Sequence, residues 1–401
     1  MTVQLDMLQT TALAVIVLFL GELIRNKAPI LKKYCIPSPV IGGLFFAVLF
    51  LVLKQYNILT ITFDTTLQTF FMNMFFTTVG FTASLRLLKK SGIPVLVFLT
   101  ISIVLIFLQN GLGIALAKVF NLNGLLGLAT GSIPLVGGIG TSGAFGPLLE
   151  KAGAEGATTV AVAAATFGMI MGSIIGNPLA KNLIEKHGLM KNHKTAAFEP
   201  GLSAELAVSD EVGEVKAENF YPAFAQILLA MGIGTIISSF FTKVGFTFPP
   251  YIGAMFAAAI IRNLADFTGM YKVPEDEIKV VGDISLSIYL AIALMGLKLW
   301  QLADLALPLV VMLVAQTILM MLMAYFITFN LMGRDYEAAV LTSGFCGFGM
   351  GATSNAMANM RALVEQYAPA PRAFFIVPLV GSLFIDFFNG ILIVVFMNMI
   401  K

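Results

Sequence analysis

The sequence predicts an all-α polytopic membrane protein, with about ten transmembrane helices in two inverted-topology five-helix repeats that each carry a re-entrant glycine-rich hairpin. Three observations lead there. Of the 401 residues 58% are hydrophobic and only 11% are charged, about half the charge of an ordinary soluble domain. Uncharged stretches of membrane-spanning length recur along the whole chain. Two further glycine-rich stretches, left over by those spans, carry one short motif in common.

The spans are expected near 8–23, 37–53, 69–85, 93–117, 157–180, 220–242, 246–261, 284–302, 305–333 and 373–400. The first is read as a retained span: no Lys or Arg precedes it, Asp6 stands where a signal peptide has its basic region, and a small-residue cleavage pattern is missing. With the N-terminus outside, 18 of the 24 Lys and Arg fall on the inner side. That asymmetry orients the chain with both termini on the outer side.

The leftover stretches are 119–149, with eight glycines, and 338–360, with four. If each crossed once, the charge alternation after it would invert, so each is read as a re-entrant hairpin that leaves on the side it entered. Irregular backbone at membrane depth is tolerated where protein buries it or water lines it, and glycine permits both the turn and the close approach of a ligand. The competing reading makes these glycines plain helix-packing contacts.

The hairpins repeat each other. Residues 138–144 (GIGTSGA) align with 350–356 (MGATSNA), sharing Thr-Ser-x-Ala at an offset of 212. Around them 93–97 (IPVLV) matches 307–311 (LPLVV), Ile41-Gly42 matches Ile252-Gly253, and Gly168 matches Gly381. Five spans per half force opposite orientations, so the two hairpins enter from opposite faces, an architecture suited to alternating access. The division is an N-terminal repeat over 1–180, a solvated cytoplasmic linker over 181–219 that holds His187 and His193, and a C-terminal repeat over 220–401.

Several classes are excluded. No basic cluster is dense enough for a nucleic-acid partner. Cys35, Cys346 and the two histidines are too scattered for a metal or disulfide framework, and no span holds an activated nucleophile or a metal motif, so an enzyme is not expected.

The strings 137–141 (GGIGT), 344–353 (GFCGFGMGAT), 293–300 (ALMGLKLW), 374–381 (FFIVPLVG) and 384–386 (FID) resemble those of the bacterial sodium/glutamate symporter family, and the likeness runs along nearly the whole chain. The resemblance implies a carrier in the cytoplasmic (inner) membrane that takes up L-glutamate with Na+ as coupling ion. It further implies no other cofactor, a homodimer, and hairpins that build the substrate and ion sites. The sequence departs from the family pattern at Ile139 and Phe345, where His is usual, and at Ser354 and Asn355, where Pro and Thr are usual. Those departures leave open a proton- or sodium-coupled carrier of another organic anion. A channel is the rival of a different class.

Substrate carboxylates need donors, which uncapped half-helix N-termini supply together with a favourable dipole. The expected substrate set is Gly137, Gly138, Gly140 and Thr141 in the first hairpin, with Cys346, Gly347, Gly349, Gly351, Thr353 and Asn355 in the second. Sodium needs hard oxygens, and the expected set is Thr141, Ser142, Thr353, Ser354 and Asp386. These hydroxyls have a bland alternative, back-bonding to their own helix. Asp386 is the one acid deep in an apolar span and requires a partner there: an ion, a substrate ammonium or Asn389, while Arg372 on the same helix lies too far along it. Arg361 and Arg372 are read as inner-side anchors.

Overall fold

The computed structural model describes residues 2–33, 36–56, 60–190, 215–245, 248–302 and 305–400. Cys35, His193 and most of the expected linker, 191–214, lie outside the described residues. The first half contains α1 (Met7–Lys27), α2 (Pro29–Lys33), α3 (Ser38–Gln55), α4 (Thr66–Thr82), α5 (Leu85–Lys90) and α6 (Gly92–Val119). The short helices α7 (Gly124–Leu128), α8 (Ser132–Leu135) and α9 (Gly138–Lys151) follow, then α10 (Ala157–Lys186). The second half contains α11 (Ala217–Lys243), α12 (Pro250–Thr268), α13 (Glu275–Met295), α14 (Ala306–Leu331), α15 (Tyr336–Gly349), α16 (Thr353–Gln366) and α17 (Pro371–Ile400).

Eight of these helices, α1, α3, α6, α10, α11, α13, α14 and α17, are long and apolar enough to cross a membrane. The protein is therefore an all-α polytopic membrane protein. With α4, 17 residues long, and α12, which carries Arg262 and Asp266, ten long helices lie where the ten spans are expected.

Local chemistry sets the ends. Asp6 caps α1 by accepting from Leu8 N and Gln9 N, while Gln9 reaches back to Asp6 N, a reciprocal box that satisfies otherwise orphaned donors. Prolines open α3 and α12, where a missing N–H costs nothing. In α17 Pro378 interrupts the hydrogen-bond ladder, and a wide turn over Leu379–Phe384 absorbs the mismatch.

Several boundaries differ from expectation, among them the end of α12, which runs on to Thr268 past the expected 261. The eighth span was expected near 284–302, but α13 begins at Glu275 because its three leading acids favour a helix N-terminus and Glu277 accepts from Lys216 N and Asn219 Nδ2. The apolar run beyond Gly296 becomes instead a tight turn, Leu299–Leu302, with Lys54 Nζ 3.6 Å from the Trp300 ring centre. The fifth span runs on to Lys186, into the expected linker. A parallel pair of four-residue strands, Thr2–Leu5 on Thr60–Phe63, adds the small sheet that an all-α reading leaves out. Its alternating Thr and Ile favour extended backbone.

The long helices sort into two packing groups. Helices α1, α3, α4, α11, α12 and α13 pack chiefly on one another. Helices α6, α10, α14 and α17 pack around the two broken pairs, α7–α9 and α15–α16, with α10 lying against both. Helix α5 and the Leu299–Leu302 turn connect the groups.

Candidate functional site

Each broken pair is interrupted within a glycine run. The first breaks at Gly137-Gly138, where Gly138 takes φ +65°, a conformation open to glycine. The second breaks over Met350–Ala352, with a turn at Met350 and Gly351 and extended backbone at Ala352. Neither α9 nor α16 has a side-chain cap, so both present uncapped helix N-termini at the breaks.

The two breaks meet. A Cβ built on Gly138 would stand 3.2 Å from Gly351 O. Two further helices close on the same spot: a Cβ at Gly168 of α10 would lie 2.2 Å from Met350 O, and one at Gly381 of α17 would lie 3.0 Å from Thr353 Oγ1. The small residues matched in the sequence, Gly168 and Gly381, thus both face the second break. From α17, Asn389 Nδ2 would be 2.8 Å from a Cβ at Gly137 and donates to Ser132 O.

The expected site residues have diverse surroundings. Gly137, Gly138, Thr141, Gly351 and Thr353 gather at the junction, and the buried Thr141 side chain lies beside Gly137. Gly140 lies against Phe75 and Leu286, and its carbonyl accepts from Tyr289 OH of α13. Buried Ser142 donates to Gly138 O and Ala161 O, whereas Ser354 is exposed. Asn355 is fully buried and donates to Met169 O and Ser173 Oγ, leaving Oδ1 without a partner among the described residues. Gly347 lets the arms of the second pair approach at Ala356, and Gly349 O accepts from Gln109 Nε2. Cys346 is buried, its backbone oxygen facing Gly172.

Asp386 is half-buried on α17 and makes no hydrogen bond or ion pair among the described residues. Arg372 is engaged elsewhere, with its guanidinium on Asp335 at 2.6 Å and on Met332 O. Asn389, the other structural partner considered for Asp386, is turned to Ser132. Arg361 is exposed.

Sequence reasoning assigned no site role to Ser132, Ser173 and Asn389, all of which hydrogen-bond at or beside the breaks. Their signal was present as polar residues in apolar segments, but such residues read equally as interhelical glue. Of the departures from the family pattern, Phe345 is fully buried and packs edge-on against Phe98 and Phe348. Ile139 is buried beside Met169 and Tyr289.

Long apolar helices enclosing two abutting helix breaks define a polytopic membrane transport protein. A family model described as Sodium/glutamate symporter matches residues 3–369. The chain is 41% identical to a sodium/glutamate symporter of Escherichia coli (strain K12) over 391 residues, which cover 97% of this chain and 96% of that protein. It shows the same identity and coverage with a sodium/glutamate symporter of Shigella flexneri, and 37% identity over 386 residues with one of Haemophilus influenzae, covering 96% of this chain and 95% of that protein. The chain belongs to the sodium/glutamate symporter family. It is a transporter, not an enzyme.

Proposed function

We propose that the protein carries L-glutamate into the cell together with Na+ by alternating access across the cytoplasmic membrane, with both termini outside. Family membership supports the solutes. The observation that carries the mechanism is the abutment of the two breaks, Gly138 against Gly351 O, with Gly168 of α10 and Gly381 of α17 facing the second break. Uncapped N–H groups at Gly138–Gly140 and in the first turn of α16 bind the carboxylates of glutamate, with Gly137, Thr141, Cys346, Gly347, Gly349, Gly351, Thr353 and Asn355 shaping the pocket. Thr141, Ser142, Thr353 and Ser354 offer hydroxyl oxygens to sodium, and Asp386 offers a carboxylate with no competing partner among the described residues.

The repeat reading has support in the packing: α1 on α3 corresponds to α11 on α12, and α4 on α12 corresponds to α13 on α3. In this reading the group formed by α6, α10, α14, α17 and the two hairpins moves against the other six helices, which also provide the homodimer contact.

Charge favours more than one Na+ per glutamate. Glutamate is a monoanion at neutral pH, and entry against an inside-negative potential is opposed by about 2.3 kcal/mol per charge per 100 mV. One Na+ makes the transported set neutral, and a second lets the potential assist uptake. The test is uptake of labelled L-glutamate into proteoliposomes under an inward Na+ gradient or, separately, a proton gradient. Saturable accumulation under Na+ alone is expected. Accumulation of other organic anions but not glutamate would overturn the substrate.

A further inference from the structure

Helix α5 joins α4 of one packing group to α6 of the other, and its two ends are held in opposite ways. At the α4 end directional polar links are dense. Ser84 accepts from Leu87 N as the cap of α5 and donates to Asp266 of α12. Asn263 of α12 brackets the same corner, accepting from Leu85 N at 2.8 Å through Oδ1 and donating to Ala83 O at 2.7 Å through Nδ2. Arg86 Nη1 donates to Asp266 O at 3.0 Å. Behind them the buried Arg262 pairs with Asp266 at 3.0 Å and with Glu275 of α13 at 2.9 Å, and it donates to Phe81 O. The corner between α4 and α5 is thus tied to α12 and, through Arg262, to α13.

The α6 end is built differently. Ser91 directs both its N–H and its hydroxyl back to Leu87 O within α5. Its own backbone is helical, at φ −74°, and α6 starts on the next residue. Gly92, exposed and at φ +80°, is therefore the single left-handed residue between the two helices. A Cβ built there would find only Pro94 Cδ within 4 Å, at 3.8 Å. The contact of α5 with the hairpin group is apolar, with Leu87 and Leu88 against the core of that group.

These two kinds of contact respond differently to movement. A buried hydrogen bond to a charged group has one good geometry and is costly to leave unmade, whereas apolar contact is non-directional and survives sliding. Glycine populates positive and negative φ alike, and hinges are a few element-terminal residues that absorb a large change in φ and ψ.

We propose that α5 remains fixed to the six-helix group throughout transport and that the hairpin group turns about Gly92, with Asn263, Asp266 and Arg262 holding the arm in place. The inference rests on the relative movement of the two groups proposed above and names the joint at which the first crossover bends. Thr82, at the end of α4 on the fixed side, donates to Leu383 O of α17 across the boundary at 2.9 Å and to Val79 O of its own helix at 2.8 Å. The second acceptor keeps the hydroxyl paired when α17 moves away.

The experiment places two cysteine pairs, one at a time, in the full-length protein, treats each with a short bifunctional maleimide, and follows Na+-driven glutamate uptake in proteoliposomes. Mass spectrometry confirms each crosslink, and the treated unaltered protein controls for Cys35 and Cys346. Crosslinking Leu85→Cys to Asn263→Cys ties α5 to α12 and should leave uptake at the rate of the untreated pair. Crosslinking Thr82→Cys to Leu383→Cys ties α4 to α17 across the boundary and should abolish uptake. Loss of uptake at the first pair overturns the fixed arm. Retention at both pairs is a separate result, which sinks the movement itself and the joint with it. Should a pair fail to crosslink, Gly92 carries the test. Gly92→Ala forces a Cβ into the left-handed region and should lower the maximal uptake rate by about tenfold, equivalent to about 1.4 kcal/mol, with half-saturating glutamate unchanged. Gly92→Asn, which tolerates that region, should regain the melting temperature of the unaltered protein but not its rate, because its Cβ still closes much of the backbone range open to glycine. An unchanged rate in Gly92→Ala, or full recovery of both properties by asparagine, would make Gly92 a fixed corner and overturn the pivot.

Discussion

The two hairpins carry one motif in two environments. The first is broken three ways, into α7, α8 and α9, needs a positive φ at Gly138, and reaches the neighbouring packing group through Tyr289 OH on Gly140 O. The second has two arms of 14 residues, breaks in a turn that ends extended at Ala352, and is fastened along α10 by Asn355 on Met169 O and Asn359 on Gly172 O. Gly168, Gly172 and Gly176 of α10 each face it within 3 Å of a built Cβ. The second hairpin is thus seated in its own group, while the first forms part of the boundary across which movement is proposed. Identical Thr-Ser-x-Ala strings do not imply identical duties.

The largest way to break that contrast is to lift the second hairpin off α10. In Gly168→Ala the new methyl meets Met350 O at 2.2 Å, backbone against backbone, so neither side yields cheaply. A loss of about 3 kcal/mol or more is expected, with little folded protein by size-exclusion chromatography and no uptake. Gly111→Ala on α6, where nothing lies within 4 Å, is the control and should unfold no earlier than the unaltered protein. Next in size is Asn355→Leu. It removes two hydrogen bonds that seat the second hairpin, and a cost of about 1–3 kcal/mol in thermal unfolding is expected together with impaired uptake.

Much of this contrast was beyond the sequence. Helix positions were legible because a 20-residue apolar run has few other readings, and ten such runs lie where ten long helices form. The α13 boundary was not, since Glu275, Asp276 and Glu277 look like a loop until a helix N-terminus and Lys216 are seen to need them. The breaks were legible as glycine runs, and their meeting was anticipated only in the sense that both were sent toward the midplane. Which hydroxyls are back-bonded, and which amides are orphaned, depends on neighbours more than 100 residues away, as with Gln109 on Gly349 O. Phe345 illustrates the limit. It stands where the family pattern has a polar residue, and only the packing shows it edge-on against Phe98 and Phe348.

Tyr289→Phe sharpens the boundary side of the comparison. The ring stays buried beside Phe75, and only the hydroxyl that Gly140 O accepts is lost, worth about 0.5–1.5 kcal/mol. If the first hairpin slides along α13 during transport, that bond is made in one state and broken in the other, so its removal alters the balance between states and leaves the pocket intact. The expected outcome is a several-fold change in maximal uptake rate with an unchanged half-saturating glutamate concentration. A shift in affinity with an unchanged rate would place Tyr289 at the substrate instead.

The smallest effects belong to the matched serines, which separate the hairpins most finely. Ser142 already directs its proton to Gly138 O and Ala161 O, so its oxygen keeps only lone pairs to offer an ion, while Ser354 is exposed on the first turn of α16. Ser142→Ala deletes one buried hydroxyl proton shared between its own helix and Ala161 O of α10, and unfolding should shift by about 0.5–1.5 kcal/mol. Half-activating Na+ should nevertheless rise several-fold, because a buried oxygen is not replaced by water. Ser354→Ala should move Na+ activation by about twofold at most, since water reaches an exposed position and substitutes for the lost hydroxyl. Equal Na+ responses in the two variants would mean that the hairpins contribute alike to the ion site despite their different surroundings.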